Sequence, residues 1–297
     1  MNKLLYLMMC VIMVFISNGC EDSQKTKYKY HPKDRAELVE LLNKTDAIHL
    51  SEIDTSAITD MSYLFSRFST EQCHDLFAEY FKFIESFVII TTMEQAAQKG
   101  DKWIPTEADK QAMKDYLIAQ WETEREKCVH NVRGRTDFSG IESWNVANVK
   151  DMSYMFGGVE NFNEPLGKWN VSRVQNMRGM FVKTAFNQDI QSWDTSNVEN
   201  MNAMFARSAF NQPLNGWNVS KVKDMSLMFY ETSHFNQPLN DWDISQVEDM
   251  NFMFQESKVF YQNLASWGEK LNPQVRTYLM FEDSPLQSNP PKWYKRI

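Results

Sequence analysis

The groups that could do acid–base or metal chemistry are few and scattered along the 297 residues. The five histidines are dispersed, and the chain contains neither a His-Glu-x-x-His motif nor a Cys-x-x-Cys pair, which are spacings that hold zinc. An enzymatic site would have to lie in the one segment that breaks the repetition of the chain, with candidates Glu79, Glu85, His74 and His130. Their spacing favours no reaction, so the sequence predicts no catalytic residue, no metal and no cofactor.

The charge of the chain is negative, with a net value of −8. Its basic residues form no run beyond the short tail Lys292 to Arg296. Nucleic-acid binding needs a concentrated positive patch, so a nucleic-acid partner is not expected.

The N-terminus has the pattern of a bacterial export signal. Lys3 precedes a 13-residue apolar run from Leu4 to Ile16, which is too short to span a bilayer. The following Ser17-Asn18-Gly19-Cys20 is similar to a lipobox, in which the cysteine is lipidated and becomes the mature N-terminus. We expect lipidation of Cys20 and anchoring to a membrane through this lipid only, with plain secretion as the alternative.

Most of the chain is a repeat, and its tryptophans recur every 24 or 25 residues, at Trp144, Trp169, Trp193, Trp217, Trp242 and Trp267. The unit reads Trp-Asn/Asp-Val-Ser-x-Val-x-Asp/Asn-Met-x-x-Met-Phe, a loop of variable length, then Phe-Asn-Gln-Pro-Leu. A single unit cannot bury these side chains alone, so we expect stacked turns with the Trp, Met and Phe stripes in the core.

The pattern within one unit suggests its local structure. The segment Leu-x-x-Trp-x-Val predicts a short strand, and Val-x-x-Met-x-x-Met-Phe predicts one or two turns of helix or 3₁₀-helix. The Asp or Asn before each first Met predicts a local turn or cap acceptor, at Asp151, Asn176, Asn200, Asp224 and Asp249. The Asn of each Phe-Asn pair predicts an amide ladder inside the coil, at Asn163, Asn187, Asn211 and Asn236.

This unit resembles that of the BspA-type leucine-rich-repeat surface proteins of bacteria, over residues 48–67 and 137–281. The resemblance implies a solenoid with one strand per turn and an adhesin-like surface protein. The expected fold is therefore an α/β repeat solenoid, a leucine-rich-repeat-like coil of 24- to 25-residue turns.

An insert splits the first repeat, which begins with Ile53 in the Trp position and resumes at Phe138. Its apolar spacing predicts a helical hairpin that turns near Gly100. Cys73 and Cys128 lie almost symmetrically about that turn, so a disulfide between them is expected in an exported protein, with two buried free thiols as the alternative.

The predicted domain organisation places amphipathic and Pro-rich caps at the two ends of the stack. Its segments are a signal peptide (1–19), a lipid-anchor tether (20–31), an N-terminal helical cap with the first half-repeat (32–67), the hairpin insert (68–137), the repeat solenoid (138–284) and a C-terminal cap (285–297).

The functional prediction is an exported, lipid-anchored cell-envelope protein, monomeric, that binds another protein or a host ligand. A structural spacer without a ligand is the main alternative, and an enzyme with its site in the insert is the weaker one. The candidate ligand-binding residues are polar positions expected to be exposed on the strands, at Asp54, Asn145, Asn170, Asp194, Asn218 and Asp243. This mildly acidic face would suit a polar or basic partner.

Overall fold

The computed structural model describes residues 27–69, 71–73 and 122–295. Helix α1 spans Arg35–Lys44, and residues 71–73 and 122–129 are also helical. Short 3₁₀-helices cover Leu50–Glu52, Ile141–Ser143, Ala265–Glu269 and Pro285–Gln287. Apart from these elements, the described residues form turns and irregular segments that stack repeat upon repeat.

Main-chain hydrogen bonds join each turn of the stack to the next. The N–H of Met177 donates to Asn200 O at 2.9 Å, and the N–H of Gly179 donates to Asn202 O at 2.8 Å. Every second N–H from Met177 to Lys183 bonds to a carbonyl of the next turn in this way, and the equivalent segments of the other turns do the same. One isolated parallel bridge marks each junction, through Asp60, Asp151, Asn176, Asn200, Asp224, Asp249 and Arg276.

Two positions in each turn have left-handed backbone. The first, which we call the αL row, follows the first Met of a turn by two residues, with Thr277 in place of that Met in the last turn. It comprises Tyr63, Tyr154, Gly179, Ala203, Leu227, Phe252 and Leu279. The second, which we call the charge row, lies four residues after the first. It comprises Gly158, Lys183, Arg207, Glu231, Glu256 and Asp283. The non-glycine members have φ between 48° and 59°, a conformation that side chains with a Cβ adopt at a cost.

The predicted α/β leucine-rich-repeat-like solenoid is wrong. The described residues contain no β-strand and no sheet. Left-handed residues interrupt the helix expected across Met-x-x-Met, leaving separate turns such as that closed by Met180 N to Met177 O at 3.2 Å. The segment expected to be a strand is also a turn, because Trp169 N donates to Leu166 O.

The core consists of aromatic and Met stripes that run along the stack. The Phe of each Met-Phe pair stacks on that of the next turn, as in Phe205 on Phe229 at 5.9 Å between ring centroids. In the described part of the chain, each indole N–H donates to a carbonyl of the preceding turn, at Leu50, Ile141, Leu166, Ile190, Leu214, Leu239 and Leu264. These bonds satisfy buried polar groups that would otherwise weaken the core.

The amide ladder is present, but it lies at the surface rather than inside the coil. The side-chain oxygen of Asn163 accepts from the main chain of Asn187 at 2.8 Å, and that of Asn187 accepts from Asn211 at 2.9 Å. Asn163 and Asn187 are exposed. Tyr261 takes the next place in the ladder, with its N–H bonded to Asn236.

The N-terminal end of the stack is capped. Helix α1 begins at its N-cap Asp34 and buries Leu38 and Leu42, which lie four residues apart on one face. Carbonyl groups of the first turn are bonded by elements outside the repeat: Ser62 by Arg35, Leu64 by Val132 and Ser66 by Asn131. This capping protects the edge from pairing with other chains.

Candidate binding face

The six predicted ligand-binding residues are local turn residues rather than strand residues. Each side-chain oxygen accepts the main-chain N–H two residues further on, at 3.0–3.2 Å, for Asp54, Asn145, Asn170, Asp194, Asn218 and Asp243. The hydrogen bonds from Ser196 hold the pKa of Asp194 below its usual range. These residues are spread along the stack, one to a turn, and their oxygens are used by the backbone.

The other sequence candidates do not converge on a site. His74, Glu79 and Glu85 lie outside the described residues, as does Cys20. His130 is exposed at the end of helix 122–129 and lies 3.1 Å from the Glu126 carboxylate.

A second apolar cluster lies apart from the main core, where the insert meets the stack. Tyr63 and Tyr154 of the αL row stack at 4.9 Å between ring centroids and are buried. The structure joins Cys73 to Cys128 in a disulfide that is buried in this cluster, and Phe68 packs edge-on against Tyr154. The base of the insert therefore covers the αL row in the first two turns.

Charged groups fix helix 122–129 to the first turn. Lys127 Nζ lies 3.1 Å from Asp60 and 3.5 Å from Glu124. Burial raises the pKa of Asp60, but the hydrogen bonds from Ser62 and the charge of Lys127 outweigh this effect and hold it below its usual range. This arrangement is an anchor, because each charge has a partner.

Tyr63 is not suited to acid–base chemistry. Burial raises the pKa of its hydroxyl well above the ordinary value. The phenol therefore stays protonated at neutral pH and serves as packing surface.

The αL row continues beyond the insert base with a change in side-chain size. Gly179 and Ala203 come first, and Leu227 and Phe252 follow. Leu227 and Phe252 are half-buried, and Tyr278 of the last turn packs edge-on against Phe252 at 5.5 Å while staying 49% exposed. Together with the half-buried Tyr230, these three residues form what we call the apolar strip.

The charge row runs beside this strip and changes sign along the stack. After Gly158, the row has Lys183 and Arg207 and continues with Glu231, Glu256 and Asp283. Arg207 lies over the Tyr230 ring at 5.2 Å and bonds to Glu231 through two nitrogens at 2.7 Å. The bonds from Arg207 lower the pKa of Glu231, so this pair is charged and neutral overall.

Sequence reasoning missed the apolar strip because its residues sit at unspecified positions of the repeat, within or directly after Met-x-x-Met-Phe or its last, Thr277-containing copy. The available signal was the presence of Leu227, Phe252 and Tyr278 outside every core stripe. An apolar residue in a variable position of a repeat is free of the packing that fixes the others, and three in adjoining turns form a patch.

Metal and membrane sites are absent from the part of the chain that is described. In residues 27–69, 71–73 and 122–295, no cluster of three or more His, Cys, Asp or Glu is arranged to hold an ion. No helix within these ranges has the length and apolar character needed to cross a membrane.

The fold and this face define a repeat protein with hydrogen-bonded, stacked turns and a partly covered apolar surface. The chain belongs to the family described as Mycoplasma protein of unknown function, DUF285, which matches residues 108–208 and 183–293. No curated protein matches the chain, and no solved structure does.

Proposed function

We propose that this protein is an exported, lipid-anchored surface protein that binds another protein through one face of its repeat stack. The observation that carries the proposal is the apolar strip. Large apolar side chains at half-buried or exposed positions, side by side in a folded stack, mark interaction surfaces. Tyr278 and Phe252 also belong to the aromatic types that provide much of the binding energy in protein interfaces.

The αL row tolerates a small residue at the positions where Leu227 and Phe252 stand. Leu227 and Phe252 hold left-handed φ values of 59°, a conformation that costs roughly 1–2 kcal/mol for a residue with a Cβ. Glycine occupies the same position at Gly179, so the fold does not require a large side chain there. Every turn of the stack has this left-handed backbone, so the size of the side chains, rather than the strain, distinguishes Leu227 and Phe252.

Affinity capture with matched variants tests the proposal. The full chain, immobilised through its C-terminus, is exposed to cell-surface and extracellular proteins, and bound proteins are identified by mass spectrometry. The double variant Leu227→Gly/Phe252→Gly should lose the partner, and Tyr261→Ser, in the exposed Asn ladder, should keep it. Equal recovery by all three proteins would favour a structural spacer without a ligand.

Export and anchoring have their own test. Labelled palmitate should enter the wild-type chain and not a Cys20→Ala variant. A soluble, unlabelled wild-type protein would support plain secretion instead.

A further inference from the structure

The apolar strip carries information about the kind of partner that it fits, and this inference rests on the binding function proposed above. Large side chains at other positions of the αL row are covered by another part of the chain. Tyr63 and Tyr154 are buried by the base of the insert, which brings apolar side chains and a charged helix to the stack. Leu227 and Phe252 occupy the equivalent places further along, where they remain half-exposed.

The end of the stack that the insert base covers and the end that carries the apolar strip differ in charge. Beside the insert base, Lys127 of helix 122–129 reaches Asp60 of the stack, so the covering element provides the cation. At the uncovered end, Glu256 and Asp283 follow one another in the charge row, and Glu282 precedes Asp283. Lys258, whose ammonium bonds to Asp283 O at 3.1 Å, offsets part of this negative charge.

We infer that the apolar strip docks a basic amphipathic segment of a partner protein. Apolar side chains of that segment would cover Leu227, Phe252 and Tyr278, and its Lys or Arg residues would face Glu256 and Asp283. Complementary charge of this kind sets the register of docking and speeds association. Burial of the aromatic residues provides the affinity. Two successive turns each provide an apolar and an acidic residue, Phe252 with Glu256 and Tyr278 with Asp283. A partner segment with an apolar face beside a basic face matches this arrangement.

Three synthetic peptides provide defined probes for the full chain. All are 18 residues long with the same leucines at helical spacing, and their remaining positions are Lys, Gln or Glu. Fluorescence anisotropy should show the Lys peptide binding at least about tenfold more tightly than the Gln peptide, which corresponds to ~1.4 kcal/mol, with no binding of the Glu peptide. Added salt should reduce the Lys preference, since exposed charges are screened.

Matched variants separate the two contributions. Leu227→Gly/Phe252→Gly, which is compatible with the left-handed backbone, should weaken binding of the Lys peptide about tenfold or more while the protein stays folded. Glu256→Gln/Asp283→Asn should remove the preference for Lys over Gln. The control Glu199→Gln/Glu248→Gln removes the same charge from another exposed row and should leave the preference intact.

Equal binding of the Lys and Gln peptides, or equal effects of the two charge variants, would overturn the inference. So would unchanged binding by the Gly double variant. Each of these three outcomes leaves the proposed function standing if affinity capture still recovers a partner that depends on the apolar strip. Loss of that capture result would instead refute the function itself.

Discussion

The indole N–H of Trp293 donates a hydrogen bond of 2.7 Å to the carbonyl oxygen of Leu264. Trp267 makes the same bond to Leu239 one turn earlier, at 2.9 Å, and the rings of Trp267 and Trp293 stack at 6.2 Å. The segment predicted as a C-terminal cap therefore provides the next tryptophan of the repeat. The cap closes the core by extending the same ladder.

Trp293→Phe should keep the ring contact and lose the hydrogen bond. We expect a loss of roughly 1 kcal/mol in the free energy of unfolding, because the Leu264 carbonyl loses the bond from the indole and keeps only that from the Trp267 main-chain N–H. Trp293→Ala also removes the stacked ring and should cost roughly 3 kcal/mol. Urea unfolding followed by tryptophan fluorescence and circular dichroism measures both, and equal stability of the two variants would contradict this account of the cap.

Gly179→Ala should destabilise the stack by about 2 kcal/mol. The added Cβ would collide with the Tyr154 ring, and the residue has φ +57°. Ala203→Gly, at the equivalent position of the next turn, is the matched control and should change stability by no more than about 1 kcal/mol. If Gly179→Ala unfolds at the same urea concentration as the wild type, the close contact with Tyr154 does not exist in solution.

Removing the disulfide with Cys73→Ser/Cys128→Ser should lower the free energy of unfolding by about 4 kcal/mol, from the closure of a loop whose ends are 55 residues apart. Alkylation of the protein unfolded in urea without reductant, followed by peptide mapping, should leave both cysteines unmodified. Alkylation of both residues under these conditions would establish two free thiols and remove the anchor proposed for the insert base.

Asp224→Asn should stabilise the protein at neutral pH by roughly 1 kcal/mol. Burial raises the pKa of Asp224 in the folded chain, so the unfolded chain ionises first and wild-type stability falls as pH rises from about 4 towards the folded pKa. Asparagine already fills this position at Asn200. The gain should be absent below pH 4 and complete above the folded pKa.

Asp194→Asn is the control for this prediction. It removes the same charge, but hydrogen bonds from Ser196 lower the pKa of Asp194, so the sign is opposite and no gain is expected above pH 4. Thermal unfolding across pH 3 to 8 measures both variants. A stabilising effect of equal size in each would mean that net charge, rather than burial of Asp224, sets the pH dependence.

The core could be read from the sequence because its pattern is redundant. The Trp, Met and Phe stripes each recur at 24 or 25 residues, and stacking is the arrangement that buries all of them. The Asn ladder was also visible, although its exposure was not. Asn163 and Asn187 bond along the surface, where the same amides satisfy the main chain without being buried.

The local backbone could not be read. A spacing of three between Met177 and Met180 fits a helix and equally fits separate turns with a left-handed residue between them. The residues that adopt this conformation include Leu227 and Phe252, whose types favour other regions of φ and ψ. Stacking contacts between turns outweigh that preference, and no local pattern encodes them.

The candidate face was missed for a related reason. Asp194 is exposed, but its side-chain oxygen accepts the N–H of Ser196 in a turn, and the side-chain oxygens of the other five candidates are engaged in the same way. The apolar strip depends on which turns the insert base covers, and this follows from the disulfide and the packing of Phe68 rather than from the repeat itself.

Site-specific photo-crosslinking tests the central claim most directly. A photoreactive phenylalanine derivative replaces Tyr278 on the strip or, as the control, Tyr261, which is 67% exposed in the Asn ladder. Irradiation of intact cells that make the protein should give a discrete crosslinked partner from position 278 and none from position 261. The same products from both positions, or none from position 278, would contradict a binding function for this face.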